Sequence, residues 1–202
     1  MPLGVYLPRG QFDLALSFER EALLLARRAP ANKPIWKFLN TIGWVHWQSG
    51  NSHELLETHE RLQYEIKPDT PSEGYYLVLR AQATLDSHYD PQMVLSILTH
   101  ARVIGEMRGD PGLVTLVRNS MARYYIRLQK PSPALDWAEM AVEFARKVGY
   151  LHMLGISLYV QAFALWLAGD LEAAESALQE SIEVTTKLDA RYDKAYAVLL
   201  LA

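Results

Sequence analysis

The chain has 202 residues, half of them apolar, with a net charge of −3 at pH 7 and no cysteine. This composition is typical of a soluble globular protein with a substantial core. The lack of cysteine excludes disulfides, thiolate metal sites and a cysteine nucleophile. The slight acidity argues against nucleic-acid binding through bulk charge. No signal-peptide pattern opens the chain, and no apolar run approaches the ~20 residues of a membrane helix. We expect a cytoplasmic protein with neither a membrane nor a direct nucleic-acid partner.

Turn signals recur along the chain at a nearly constant interval. Their spacings are 40, 40, 40 and 39 residues, and they stand at Gly10-Gln11, Gly50-Asn51, Asp90-Pro91, Lys130-Pro131 and Gly169-Asp170. A fixed period between about 20 and 50 residues indicates a repeat array. The sequence therefore predicts about five forty-residue units in one helical-repeat domain over residues 1–202.

Each unit is predicted to hold two helices, a B helix after the turn and an A helix before the next turn. In chain order we expect B 11–28, A 35–48, B 52–66, A 72–88, B 92–107, A 112–128, B 133–147, A 153–168, B 171–187 and an A helix from 191. The segment Thr70-Pro71-Ser72-Glu73 has the pattern of a capping box, and Asp90-Pro91 and Asp110-Pro111 are cap-and-proline pairs. No segment has a strand pattern.

Small residues are expected where neighbouring A helices cross, because they let the helix axes approach closely. Seven residues before the turn residue, Gly43, Ala83 and Ala162 fit this position. The third unit breaks the pattern, since Arg123 stands at the expected place and Ala122 is one residue away. Either that turn is one residue longer or the register differs there.

These segments resemble the tetratricopeptide repeat (TPR), which has a small residue in the A helix, a closing glycine and an alanine-rich B helix. The best match is FALWLAGDLEAAESAL, from residue 163, and LNTIGWVHWQSGNSHELLE, from residue 39, matches in part. The resemblance implies an all-α, right-handed α-solenoid of antiparallel helix pairs. The forty-residue period is similar to that of the sensor region of large bacterial ATP-binding transcription activators of the maltose-operon activator type. It is also similar to that of peptide-responsive bacterial regulators and motor light chains.

The two ends suggest a piece of a longer protein. The first residues lead straight into a B helix, and KAYAVLLLA, from residue 194, is an apolar A helix without a B partner. Because repeat arrays need polar terminal caps, we expect further repeats beyond the ends or self-association through the C-terminal helix.

The sequence carries no pattern of catalytic chemistry. It lacks a P-loop, Gly-x-Ser-x-Gly and His-Glu-x-x-His. Asp86, His88 and Asp90 are better explained by a helix end and a cap than by a metal site. We therefore expect no catalytic residues, no metal and no cofactor, and a hydrolase is only a weak third alternative.

The A helices are expected to line the inner, concave surface and to bind a partner. Around the small positions, the candidate binding residues are Asn40, Trp44, Trp47, Arg80, Thr84, Arg123, Arg127, Tyr159, Phe163 and Trp166. Arginine beside Trp and Tyr is the composition of binding hot spots, although each Trp could equally be part of the core. The arginines on successive A helices would form a stripe that suits an extended acidic or aromatic peptide.

Two functions remain open from the sequence. The first is the ligand- or partner-sensing segment of a larger bacterial transcriptional regulator. The second is a general protein assembly scaffold without a regulatory role. A DNA-binding segment elsewhere in the full-length gene would favour the first.

Overall fold

The computed structural model describes residues 10–28, 35–87 and 90–201, and over these residues it is helical with no strand. A 3₁₀ turn, Gln63–Glu65, follows the third helix. The α-helices are α1 Phe12–Arg28, α2 Ile35–Gln48, α3 Ser52–Leu62, α4 Pro71–Ser87, α5 Pro91–Arg108, α6 Pro111–Arg127, α7 Pro131–Val148, α8 Leu151–Ala168, α9 Leu171–Lys187 and α10 Arg191–Leu201. The predicted helices are confirmed, with bounds that differ by a few residues. The even-numbered helices are the A helices, and the odd-numbered ones are the B helices.

The chain divides into two compact units. Unit 1 is Met1–Arg108 and unit 2 is Gly109–Ala202. In each unit consecutive helices pack together, and each A helix also packs against the next A helix, α2 on α4 in unit 1 and α6 on α8 and α8 on α10 in unit 2. This arrangement of consecutive helix pairs is the expected all-α helical repeat. That residues 1–202 form a single continuous domain stays a prediction.

The helix starts follow the predicted cap chemistry. The Asp110 side chain accepts a hydrogen bond from the Leu113 amide, and Asp90 accepts from the amides of Gln92 and Met93. Both side chains satisfy amide donors that the first turn of a helix leaves without partners. The start of α4 differs from the predicted capping box, because the Glu73 carboxylate accepts from the Asp69 amide at 2.7 Å and the Thr70 hydroxyl donates to the Lys67 carbonyl.

The turn geometry corrects the register of two units. The left-handed residue that ends α6 is Gln129, which corresponds to Gly50 and Gly169 in the other turns. Counted from there, Ala122 takes the small position of the third unit, and it is fully buried. Asp90 is a helix cap and corresponds to Asn51 rather than Gly50.

In the second unit, the prediction that Ala83 occupies the crossing is therefore wrong. The equivalent position is one residue earlier, at Gln82, which is 3% exposed, whereas Ala83 is only half-buried. Gly43 and Ala162 do occupy their predicted crossings. A Cβ built on Gly43 would lie 2.5 Å from Leu79 Cδ2 of α4, and Ala162 packs in a cluster with Ala177, Leu178 and Ala197.

The same register aligns the B helices. The fourth residue is buried in all five B helices, at Ala15, Leu55, Val94, Ala134 and Ala174. The eighth residue is buried and apolar in three of them, at Leu98, Ala138 and Leu178. At the same position, α1 has Glu19, which is 3% exposed, and α3 has His59, which is half-buried.

By length and composition alone, α8 could cross a membrane, since its 18 residues have a mean hydropathy of 1.5. In this structure α8 packs against α6, α7, α9 and α10. An inner helix that is covered on several sides by other helices is apolar around most of its circumference for that reason.

The last helix, α10, packs against α8 and α9. Asp193 is 4% exposed and lies 3.1 Å from His152 Nε2 of α8. Ala197 is buried, while Ala195 and Val198 are exposed. The side chains of Leu199 and Leu200 lie outside the described part of the chain.

Candidate partner-binding face

The candidate face of unit 2 is built from two neighbouring A helices. Arg123 and Arg127 are one helical turn apart on α6, and Tyr159, Phe163 and Trp166 follow one another at helical spacing on α8. Residues three and four apart on a helix lie on the same side, and α6 packs against α8. We call these five residues the Arg–aromatic face.

Arg123 joins the two helices. Its guanidinium donates a hydrogen bond to the Tyr159 hydroxyl, and the guanidinium carbon lies 5.4 Å from the centre of the Tyr159 ring. A guanidinium near an aromatic ring is attracted by the ring quadrupole. The Arg123 side chain is therefore held in place before any partner arrives. Arg127, one turn further along, is exposed.

The aromatic side of the face combines two packed rings, Tyr159 and Phe163, with the exposed ring of Trp166. Tyr159 and Phe163 pack against a core cluster that includes Ala122 and Val160. Phe163 and Trp166 have ring centres 5.4 Å apart, and Trp166 is 56% exposed. A large apolar ring that is exposed to solvent next to packed aromatic rings is typical of a partner-binding surface.

Below the face, Asn119 holds α6 against α8. It is 2% exposed, its Nδ2 donates to Ser157 Oγ at 3.0 Å, and its Oδ1 has no hydrogen-bond partner among the described residues. A ligand cannot reach an atom this deep without a rearrangement. Asn119 is therefore part of the packing between α6 and α8.

Charge is unevenly divided between the two layers of unit 2. The A helices α6, α8 and α10 carry one acid, Asp193, and five basic residues, Arg118, Arg123, Arg127, Arg191 and Lys194. The B helices α7 and α9 carry seven acids, Asp136, Glu139, Glu143, Glu172, Glu175, Glu180 and Glu183. Because Asp193 is buried against His152, the A layer presents mainly positive charge.

In unit 1 the corresponding residues are more deeply packed. Trp44 and Trp47 meet edge to face with ring centres 5.1 Å apart, and both lie against the core cluster around Leu39 and Val45. Asn40 is 8% exposed, with an Oδ1 that has no hydrogen-bond partner among the described residues. Trp44 and Trp47 thus pack against the core of unit 1. Their role in binding stays a prediction.

Arg80 and Thr84 are the candidate residues on α4. Arg80 is exposed, beside His59 of the B helix α3 and Tyr76 of its own helix. Thr84 is half-buried, and its hydroxyl donates to the Arg80 carbonyl at 2.9 Å. The stripe of arginines on successive A helices stays a prediction.

His59 has an unusual environment beside Arg80. Its ring stacks on Tyr76 with centres 4.2 Å apart. Burial, and secondarily the charge of Arg80, lowers the pKa of His59 to about 4. His59 is therefore a neutral, packed side chain at neutral pH.

Sequence reasoning did not find one group of potential metal ligands. Ligand atoms of Asp69, Glu73 and His100 lie within 4.8 Å of one another. The chain spacing gives no signal, because the fold brings His100 of α5 to the start of α4. Glu73 already acts there as a helix cap, and the group is largely exposed. His88 lies outside the described residues.

Comparison with known proteins identifies the class of fold. The sequence matches no family model and no curated protein. Among solved structures, a Rap protein complexed with competence and sporulation factor is similar, with a TM-score of 0.71 and 14% sequence identity. The match covers 95% of this chain and 58% of the Rap chain, so this chain spans little more than half of that protein. The chain has a TPR-like helical-repeat fold.

Proposed function

We propose that this chain is a non-enzymatic module that binds an extended peptide or protein segment on its A-helix layer. The observation that carries this proposal is the Arg–aromatic face, where exposed Trp166 lies next to Phe163 and Arg123 is held against Tyr159. Trp, Tyr and Arg are the residues that most often dominate binding energy. The Rap protein of similar fold was solved in complex with competence and sporulation factor, which supports a peptide as the occupant.

The module is proposed to be the sensing segment of a larger cytoplasmic regulator of bacterial transcription, of the maltose-operon activator type or a peptide-responsive type. The positive A layer supports an acidic partner. The exposed Val198 of α10 supports self-association as a further property. The alternative is an assembly scaffold without signalling. A DNA-binding segment encoded in the same gene would favour the regulator.

Selection from a random peptide library tests the binding function. We expect the immobilised chain to enrich peptides that share a common pattern, and the enriched peptides to bind saturably in solution. An unrelated helical protein of similar charge is the control. If the chain enriches nothing beyond that control, the module does not bind peptides. If the Trp166→Ala variant enriches the same peptides with unchanged affinity, the binding surface is elsewhere.

A further inference from the structure

We infer that the Arg–aromatic face of unit 2 selects a segment with two carboxylates at alternate positions, followed by a large aromatic side chain. This inference rests on the proposed function and specifies the partner's chemistry. It follows from the charge of the A layer, the spacing of two arginines and the exposure of one tryptophan.

The charge of the layer favours an acidic partner. Of the basic residues on the A helices, Arg118 is turned toward α7, since it donates to the Met140 carbonyl at 2.9 Å and its guanidinium lies 4.7 Å from the Phe144 ring centre. Arg191 pairs with Asp189 at 3.0 Å. Arg123 and Arg127 are thus the arginines of α6 that belong to the face. Helix α6 has no acidic residue, so a basic segment would meet no compensating charge there.

The spacing of the arginines favours an extended segment. Side chains four residues apart on a helix start about 5–6 Å apart. In an extended peptide, alternate side chains point the same way and are about 6.6 Å apart. Two carboxylates separated by one residue can therefore each meet one guanidinium. Arg123 is already oriented by Tyr159, so less conformational freedom is lost when it binds.

The exposed tryptophan favours an aromatic side chain beside the acids. Trp166 stands next to Phe163, with ring centres 5.4 Å apart, and half of its surface faces solvent. Covering this surface with another ring removes apolar area from water and adds an aromatic pair. A purely polar acidic segment would leave Trp166 uncovered.

Three short peptides test the inference by fluorescence anisotropy with an uncharged label. The probe is GSEGEGWS, in which the Trp lies on the same side of an extended chain as both Glu residues. The second peptide has both Glu replaced by Gln, and the third has Trp replaced by Ala. We expect each replacement to weaken binding by about tenfold or more. Raising the salt from about 50 mM to about 500 mM should weaken the acidic probe far more than the Gln peptide.

Two protein variants locate the effect. Arg127→Ala removes an exposed charge from the face and is expected to weaken the acidic probe about tenfold, while it leaves the Gln peptide nearly unchanged. Lys147→Ala removes an exposed charge from the B helix α7 and is the matched control, with affinity expected within about twofold of the parent. Circular dichroism spectra that match the parent show that each variant is folded.

The outcomes separate this inference from the proposed function. If the acidic and Gln peptides bind equally, or if Arg127→Ala and Lys147→Ala behave alike, the acidic specificity is wrong. The inference is equally wrong if the acidic probe fails to bind at about 1 mM. In each case, peptides enriched from the random library would still support peptide binding, and only a failed library selection would remove the proposed function.

Discussion

Replacing Glu19 with Gln is expected to stabilise the protein at pH 8 and to have little effect near pH 5. Glu19 occupies a position where three of the other four B helices have Leu or Ala, and it is 3% exposed. Burial raises its pKa from 4.5 to about 7. Above pH 7 the folded protein must hold a buried carboxylate, which is unfavourable without a partner charge.

The sign of the pH dependence follows from the two pKa values. Between pH 4.5 and 7 the unfolded chain releases the Glu19 proton while the folded chain keeps it. Stability therefore falls as the pH rises through this window, by up to about 3 kcal/mol for a shift of this size. His59 acts in the opposite direction, because its lowered pKa causes stability to fall as the pH drops from 6.5 toward 4.

Urea unfolding from pH 4 to pH 8 measures both effects. The parent is expected to show partial cancellation between pH 4.5 and 6.5. Glu19→Gln should show stability that rises with pH across this interval, because burial lowers the pKa of both His59 and His46 and no raised carboxyl pKa then opposes them. Glu21→Gln, on the exposed side of the same helix, is the matched control. A difference between Glu19→Gln and parent that stays constant from pH 5 to pH 8 would contradict a buried, protonated Glu19.

Replacing Ala162 with Leu is expected to destabilise the protein by about 1–3 kcal/mol. Ala162 is 2% exposed and packs against the buried Ala177, Leu178 and Ala197. Three more carbons at this crossing would force α8 away from α9 and α10, which cover it.

Thermal and urea unfolding check this prediction against Ala168→Leu, the same change at the exposed end of α8. The control should lie within about 0.5 kcal/mol of the parent. If Ala162→Leu melts like the control, the register of the fourth unit is wrong.

The helices could be predicted because their signals are local. Period, cap residues and glycine positions act within one or two turns of a helix, so Asp90, Asp110 and Asp170 mark helix starts in the sequence as they do in the structure. The left-handed turn at Gln129 could not be predicted from the sequence, because glycine is the usual sequence signal for a positive φ and Gln129 is not a glycine. That turn is the reason why the register of the third unit stayed open, and the error of one residue in the second unit came from aligning the cap Asp90 with a glycine.

The site could be predicted only in part, because exposure depends on packing between helices distant in sequence. Arg123 and Tyr159 are 36 residues apart and meet because α6 packs on α8. Trp47 and Trp166 both stand three residues before the turn glycine of their units, yet Trp47 is half-buried and Trp166 is exposed.

The central claim is that a partner segment binds on the A helices of unit 2. Nuclear magnetic resonance of the indole N–H groups tests it most directly, because Trp166 lies on the A helix α8 and Trp137 lies on the B helix α7. On titration with a library-selected peptide, we predict that the Trp166 resonance shifts saturably while that of Trp137 stays in place. A saturable shift of Trp137 with an unmoved Trp166 would contradict the account.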